Sequence, residues 1–149
     1  MKIAVGCDHA GYNLKLEVVK HLESKGYEVK DYGTYKKETC DYADYGELVA
    51  EAVINRVVDK GILVCGTGIG ISIAANKVPG IRAAHCTDTF SARSSRQHND
   101  ANILALGERV TGVGLALDIV DSFLNAEFEG GRHAIRVNKI VNIEKKYNK

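Results

Sequence analysis

The segment from Cys65 to Lys77 combines reactive side chains with a glycine-rich turn, and it follows a short apolar run at residues 61–64. Glycine occupies the alternate positions 66, 68 and 70, so the backbone can turn sharply and approach a ligand closely. The stretch that follows is compatible with a helix, whose first N–H groups lack a partner within the helix and attract anions. The thiol of Cys65 and the hydroxyl of Thr67 lie on the same turn. A reactive group beside an anion cradle predicts an active site.

A second polar segment, Cys7-Asp8-His9-Ala10-Gly11, follows the first predicted strand. Asp8 stands where a strand gives way to a helix, so its carboxylate either caps the helix or belongs to a site, and the sequence leaves both alternatives open. The ring of His9 could bind an anion through its N–H group or simply pack at the turn. Both residues are candidates for the same site as Cys65.

Candidates for proton transfer and phosphate binding occur in the second half of the chain. His98 precedes the fifth predicted strand, and histidine is the side chain best suited to exchange protons near neutral pH. An ordinary polar loop is the alternative interpretation of residues 98–102. Arg132 and Arg136 would share one face of a helix and suit a phosphate, although a solvated cationic face explains them at least as well. Arg109 is a third candidate.

The composition indicates a globular protein without a strong charge bias. The chain has 149 residues, of which 45% are hydrophobic and 26% charged, with a formal net charge of +1. This balance gives no reason to expect nucleic acid or a membrane surface as a partner. No apolar stretch approaches the roughly 18 residues of a membrane span, and the first residues lack the organisation of a signal peptide. We therefore expect a single cytoplasmic domain over residues 1–149.

The four cysteines, at positions 7, 40, 65 and 86, form no C-x-x-C pair, which argues against a zinc ribbon or a thioredoxin-type motif. We expect free thiols, with Cys40 and Cys86 acting as small buried apolar residues. The glycine turn matches neither the P-loop nor the dinucleotide-binding pattern, and the sequence shows no metal-ligand motif. The residues thus predict a site for a small phosphorylated molecule that uses neither a metal nor another cofactor.

Short apolar runs alternate with helical patterns along the chain. Strands are predicted at residues 3–5, 27–32, 62–64, 81–85 and 103–106. Helices are predicted at residues 10–25 (ended by Gly26), 88–97 and 134–147. Another helix is predicted to begin at a capping box of Asp44 and Glu47, with an inner face of Val49, Val53 and Val57. A further helix is predicted from the apolar stripe of Val113, Leu117, Val120 and Leu124. Lys145, Lys146 and Lys149 are interpreted as a solvated basic tail.

Continuous apolar strands are typical of a parallel sheet covered on both faces. The predicted fold class is therefore α/β: one doubly wound, Rossmann-like domain with a five-stranded parallel sheet, helices on both faces and a C-terminal helix. Ligands bind such sheets beyond the carboxyl ends of the strands. The segments that start at Cys7 and Cys65, and the segment beyond His85, should therefore meet at one edge.

With these residues in view, the chain resembles the type B ribose-5-phosphate isomerases, which belong to a sugar-phosphate isomerase family that also includes galactose-6-phosphate and allose-6-phosphate isomerases. The resemblance covers essentially the whole chain and rests on residues 7–11, 65–70, 72–77, 98–102 and 131–133, with Arg136. It implies interconversion of ribose 5-phosphate and ribulose 5-phosphate through an enediolate, in the non-oxidative branch of the pentose phosphate pathway. It also implies a dimer or tetramer whose subunits share each active site.

The resemblance assigns roles to the candidate residues. Cys65 would be the base that moves a proton between C1 and C2, which fits the absence of an acid at residues 71–75. His98 would open the sugar ring, and Thr67 would assist the proton transfer. The substrate-binding residues would be Asp8 and Asn99 for the sugar, His9, Arg109, Arg132 and Arg136 for the phosphate, and the turn of Gly66, Thr67, Gly68, Ile69 and Gly70, whose N–H groups could face the oxyanion. His98, Asn99 and Arg109 would come from the neighbouring subunit.

Three alternatives stay open at the level of sequence. A six-carbon sugar phosphate such as allose 6-phosphate would need the same motifs and a longer pocket. A non-catalytic module that binds sugar phosphates or nucleotides would fit the fold, but binding alone needs no proton-transfer groups such as Cys65 and His98. A redox sensor based on Cys65 or Cys7 is the weakest alternative, because no resolving cysteine is evident.

Overall fold

A computed structural model describes residues 1–148 and shows one parallel sheet. Its strands are β1 (Lys2–Cys7), β2 (Glu28–Asp31), β3 (Lys60–Cys65), β4 (Ala83–His85) and β5 (Ile103–Gly107), in the order β2-β1-β3-β5-β4. The chain moves outward from β1 to β2 and then returns to β3 on the other side of β1. The gap between the ends of β1 and β3 is thus a switch point, where doubly wound sheets bind their ligands.

Helices cover both faces of this sheet, as predicted. In the described part of the chain they are α1 (Tyr12–Ser24), α2 (Tyr42–Ile54), α3 (Ile69–Ala75), α4 (Thr89–Asn99), α5 (Val113–Leu124) and α6 (Arg132–Tyr147). Side chains of β1 alternate between two apolar layers: Ile3 and Val5 pack with α1, α4 and α5, whereas Ala4 packs with α2 and α3. The predicted α/β class with a five-stranded parallel sheet is confirmed, and both faces are dry because each is covered by helices.

The start and end of α2 differ from the prediction. Asp41 is the residue before its first turn, and Asp44 already lies within that turn, with its N–H group donating to the carbonyl of Asp41 at 3.3 Å. The predicted capping box of Asp44 and Glu47 is therefore wrong. At the other end, Arg56 adopts a positive φ of 59°, which ends the helical path, and Val57 is 42% exposed instead of buried.

The buried face of α5 is rotated relative to the predicted stripe. Val113 is 46% exposed, because it opens the helix at the edge of the sheet, and Leu117 is only partly buried. Val120 and Leu124 are buried as predicted. The rest of the buried face consists of Ala116, Ile119 and Phe123.

The fourth strand and the C-terminal helix complete the fold. The fourth strand is shorter than predicted, because the N–H group of Arg82 donates to the side chain of Asn102 at 2.8 Å rather than to a neighbouring strand. The predicted C-terminal helix is confirmed as α6. Lys145 and Lys146 are exposed, while Lys149 lies outside the described residues. Among residues 1–148, no helix combines the length and apolar character needed to cross a membrane.

Candidate active site

The carboxyl ends of β1 and β3 border a cavity of about 430 Å³. This size lies within the range of small-molecule sites. The cavity unites the two polar segments that the sequence singled out, together with one arginine. Its lining residues are Asp8, His9, Ala10, Tyr42, Cys65, Gly66, Thr67, Ile69, Gly70 and Arg109.

Cys65 is the last residue of β3, and its side chain reaches the cavity while the residue is only 4% exposed. The N–H group of Gly68 donates a hydrogen bond to its Sγ at 3.1 Å. Gly68 has a φ of 83°, and a Cβ atom there would lie 2.6 Å from the ring of His85 and 2.9 Å from the carbonyl carbon of Leu106. Only glycine therefore fits this position, and the turn it allows directs a backbone donor at the sulfur.

The carboxylate of Asp8 caps the short 3-10 turn at His9–Gly11. Its Oδ1 accepts hydrogen bonds from the N–H groups of Ala10 at 2.9 Å and Gly11 at 3.1 Å. The residue is 5% exposed and also lines the cavity. The two alternatives left open for Asp8 therefore coexist, since a capping carboxylate is held rigidly at the wall of the cavity.

The imidazole of His9 and the hydroxyl of Thr67 are both held by the backbone. Nδ1 of His9 lies 3.2 Å from both the N–H and the carbonyl of Cys40. Oγ1 of Thr67 accepts from the N–H group of Ile69 at 3.1 Å, and Thr67 is exposed. Each side chain thus keeps a polar atom beside the cavity in a defined orientation.

Arg109 lies in the cavity of its own chain. The N–H group of Glu108 donates to the carbonyl of Cys65 at 2.9 Å, and that of Arg109 donates to the carbonyl of Gly66 at 3.0 Å. These bonds continue the pairing of β3 with β5 and carry Arg109 to the same edge. The expectation that the neighbouring subunit provides Arg109 is wrong for the cavity described here, because register alone brings this residue to Gly66.

Tyr42 is a cavity residue that the sequence reasoning missed. It opens α2, is 46% exposed, and packs its ring so closely on Gly70 that a Cβ atom there would lie 2.7 Å from the ring. The predicted start of α2 at Asp44 concealed it. Tyr42 lies two residues before the predicted start, at the first position of the helix.

His98 and Asn99 lie at the opposite edge of the sheet in the same chain. They end α4, which runs from the carboxyl end of β4 back to the amino end of β5, away from Cys65. Asn99 lines a different cavity of about 450 Å³ with Arg82 and Glu144. A single chain therefore does not bring these two predicted site residues to the Cys65 cavity.

The ring of His98 stacks on His133, with ring centres 4.4 Å apart and planes 12° from parallel. Desolvation lowers the pKa of His133, and the charges of His98 and Arg132 lower it further. Arg132 and Arg136 are exposed on the first turns of α6, next to this pair. His98 and the two arginines therefore form a second group of predicted site residues, which is separate from the Cys65 cavity in one chain.

The remaining cysteines differ from Cys65 in their surroundings. All four cysteines are free thiols, as predicted. Burial raises the pKa of Cys7 to about 12 and that of Cys86 to about 11, so both stay protonated at neutral pH. Cys86 is buried as predicted, whereas the prediction for Cys40 is wrong: it is only half-buried, because its backbone bridges to His9.

Fold and cavity together define a doubly wound α/β protein with a cysteine-containing glycine turn at its switch point. A family model described as Ribose/Galactose Isomerase matches residues 3–140. Ribose-5-phosphate isomerase B of Escherichia coli is 56% identical over 147 residues, with 99% of each chain covered. The chain therefore belongs to the ribose/galactose isomerase family and is an isomerase.

Two further comparisons show how closely the fold is shared and how names vary within it. The structure of Clostridium thermocellum ribose-5-phosphate isomerase B superimposes with a TM-score of 0.98 at 66% identity, and 99% of each chain is covered. A D-erythrulose-4-phosphate isomerase of Pectobacterium atrosepticum is 46% identical over 141 residues, which are 94% of this chain and 93% of that protein. Similar chains thus carry names with sugars of different length.

Proposed function

We propose that this protein interconverts D-ribose 5-phosphate and D-ribulose 5-phosphate through an enediolate. The observation that carries the proposal is the meeting of the Cys65 sulfur, the Asp8 carboxylate and the Arg109 side chain around one cavity. The name of the E. coli relative supports the choice of substrate. The cavity volume of about 430 Å³ suits a phosphorylated pentose.

In this proposal the thiolate of Cys65 removes the proton from C2 of the open-chain aldose. The electron pair left behind forms the C1–C2 double bond of the enediolate, and the carbonyl oxygen becomes an oxyanion. Backbone N–H groups of the turn at residues 66–70 would stabilise that charge, because donors fixed in a partly dry site need no reorganisation. The protonated sulfur then returns the proton to C1, and the proton of the C2 hydroxyl passes to the oxyanion on C1, which gives the ketose.

We further propose that His98 acts at the Cys65 cavity of a second copy of the chain, where it opens the furanose ring. Within one chain, His98 lies at the edge of the sheet opposite the Cys65 cavity. Apolar side chains exposed around the Cys65 cavity support coverage by another subunit. They include Ile69 at 50%, Ile73 at 55% and Val110 at 58% exposure.

The same assembly would supply Asn99 to orient the sugar, and Arg132 and Arg136 to bind the phosphate together with His9. Both arginines are exposed on the first turns of α6, so a partner's ligand could reach them. Guanidinium groups grip a phosphate through several N–H donors at once. Arg109 would contribute from the chain that provides Cys65.

The test is to mix the purified protein with D-ribose 5-phosphate and a chelator in D₂O and to analyse the product by NMR. We expect ribulose 5-phosphate that carries solvent deuterium at C1, and deuterium at C2 of the recovered aldose. Parallel reactions with D-allose 6-phosphate and D-erythrose 4-phosphate compare kcat/KM across chain lengths. A six-carbon preference, or binding without exchange at carbon, would contradict the proposal.

Two broader predictions accompany this function. We expect a homodimer or a larger homo-oligomer, which light scattering after size-exclusion chromatography measures directly. We also expect a cytoplasmic location, which cell fractionation measures. A monomer at micromolar concentration with full activity would contradict the shared site.

A further inference from the structure

A cluster of three side chains that could bind a metal lies away from the Cys65 cavity. Nε2 of His98 lies 3.6 Å and Nε2 of His133 lies 3.4 Å from Oε1 of Glu129. One ligand atom of each residue lies within 4.8 Å of the other two. Both nitrogen–oxygen separations exceed the roughly 2.9 Å typical of an N–H···O hydrogen bond. The carboxylate therefore faces two imidazoles without a close hydrogen bond to either.

The two nitrogen–oxygen separations, 3.6 and 3.4 Å, match the spacing of ligands around a metal ion. Two ligands bound at about 2.0–2.1 Å to a tetrahedral zinc ion lie roughly 3.4 Å apart. Two imidazoles with one carboxylate form a set that zinc uses when a fourth position is left open. Magnesium and calcium prefer oxygen ligands throughout, so they fit this set poorly.

A backbone hydrogen bond holds the three residues of the cluster close together. The N–H group of Glu129 donates to the carbonyl of Gln97 at 3.0 Å, which ties the loop before α6 to the end of α4. The rings of His98 and His133 are stacked in nearly parallel planes, so the more exposed ring, that of His98, must turn before both Nε2 lone pairs point at one ion. The side chain of His133 is 9% exposed, whereas those of His98 and Glu129 are 42% and 49% exposed. Solvent can therefore supply a fourth ligand.

We propose that His98, Glu129 and His133 form a binding site for a divalent transition-metal ion, best matched by zinc, and that metal bound there inhibits the isomerase. The bound metal occupies Nε2 of His98, so that atom can no longer accept or donate a proton during ring opening. The inhibition rests on the proposed role of His98, but the binding does not. Arg132 and Arg136 carry like charge close to the ion and weaken its binding, so chelators should reverse the inhibition.

The binding test uses cobalt(II), which reports its ligands through its visible spectrum. It is titrated into metal-free Cys65→Ala protein, so that this thiolate cannot act as a ligand. We expect one equivalent per chain with a nitrogen–oxygen spectrum that zinc displaces. Glu129→Gln and His133→Gln should each weaken binding at least about 10-fold, since even loss of a group outside the ligand set costs roughly 10- to 100-fold. The control Glu127→Gln removes a nearby exposed carboxylate and should change nothing.

The inhibition test uses zinc with the chain that retains Cys65. We expect the inhibitory zinc concentration to rise at least about 10-fold in Glu129→Gln and to stay unchanged in Glu127→Gln. An unchanged cobalt affinity in Glu129→Gln would overturn the proposed site. Cobalt binding at the site without zinc inhibition would overturn the inhibitory half alone. The cobalt spectrum does not depend on turnover, so it tests metal binding even if the protein does not isomerise ribose 5-phosphate.

Discussion

The backbone N–H group of Gly68 points at the sulfur of Cys65 from 3.1 Å. This hydrogen bond fixes the orientation of the Cys65 side chain at the wall of the cavity. It exists because Gly68 adopts a φ of 83° beneath His85. The turn and the reactive atom are therefore one structural unit, and several consequences of that unit can be measured.

Replacing Cys65 by alanine should lower kcat by about 10²- to 10⁴-fold, the usual contribution of a positioned acid–base group. Substrate affinity, measured by calorimetry, should change little, because the thiol is not proposed to bind the phosphate. Cys86→Ala is the matched control, since that thiol is buried elsewhere with its pKa raised to about 11. Near-normal turnover in Cys65→Ala would remove Cys65 as the base.

Replacing Gly68 by alanine should lower both stability and kcat. A left-handed conformation costs an L-residue roughly 1–2 kcal/mol, and the added Cβ would also press on His85 and the Leu106 backbone. The turn should shift and move the N–H donor away from the sulfur. Thermal unfolding and steady-state kinetics measure the two effects.

The control for that change is Gly114→Ala, where a Cβ atom meets nothing within 4 Å. Gly114 is the second residue of α5, so alanine there should stabilise the protein by at most about 0.5–1 kcal/mol. Equal effects of the two substitutions on stability and kcat would show that the turn does not require glycine at position 68.

Replacing Arg136 by alanine should raise KM for ribose 5-phosphate by roughly 10- to 100-fold, which corresponds to the loss of one charge-assisted hydrogen bond. kcat should change by only a few-fold, because the phosphate lies away from the reacting carbons. Lys139→Ala, one turn further along α6 and also exposed, is the charge-matched control. An unchanged KM in Arg136→Ala would take this residue out of the phosphate site.

The free energy of unfolding should fall as pH rises above about 9, because Cys7 and Cys86 are buried as protonated thiols. Their pKa values are raised from 9.0 to about 12 and about 11 in the folded chain. The stabilisation is complete below pH 9 and is lost as pH rises toward these values, because only the unfolded thiols ionise in between. Each thiol contributes up to about 1.4 kcal/mol per pH unit.

Urea unfolding at pH 8.5, 9.5 and 10.5 and constant protein concentration measures this slope. Cys86→Ala should be less stable at every pH but should lose free energy of unfolding less steeply. Identical slopes for the two proteins would contradict a protonated, buried Cys86.

Much of this architecture could be predicted from local patterns. Continuous apolar runs such as 62–64 indicated buried parallel strands, and the glycines after Cys65 indicated the turn that closes on it. The switch-point rule then brought Asp8 and Cys65 to one edge without knowledge of the strand order. These predictions succeed because hydrophobic periodicity and the conformational freedom of glycine act over only a few residues.

Other features depend on contacts between distant segments. The position of Arg109 follows from the register of β5 against β3, which no local pattern encodes. The juxtaposition of Glu129 with His98 requires the docking of α6 on α4. The start of α2 was misplaced because Asp44 and Glu47 have capping-box spacing within the first turn of a helix that begins at Tyr42.

Mixing two inactive variants, Cys65→Ala and His98→Asn, tests the shared site most directly. Each variant alone should be at least about 10²-fold less active with ribose 5-phosphate. After joint unfolding and refolding in equal amounts, a dimer should regain up to about a quarter of wild-type activity, because half of the dimers are mixed and one of their two sites is intact. Refolded wild type sets the scale. Activity of the mixture that stays at the level of the separate variants, although mass spectrometry shows mixed oligomers, would contradict a site built from Cys65 of one subunit and His98 of another.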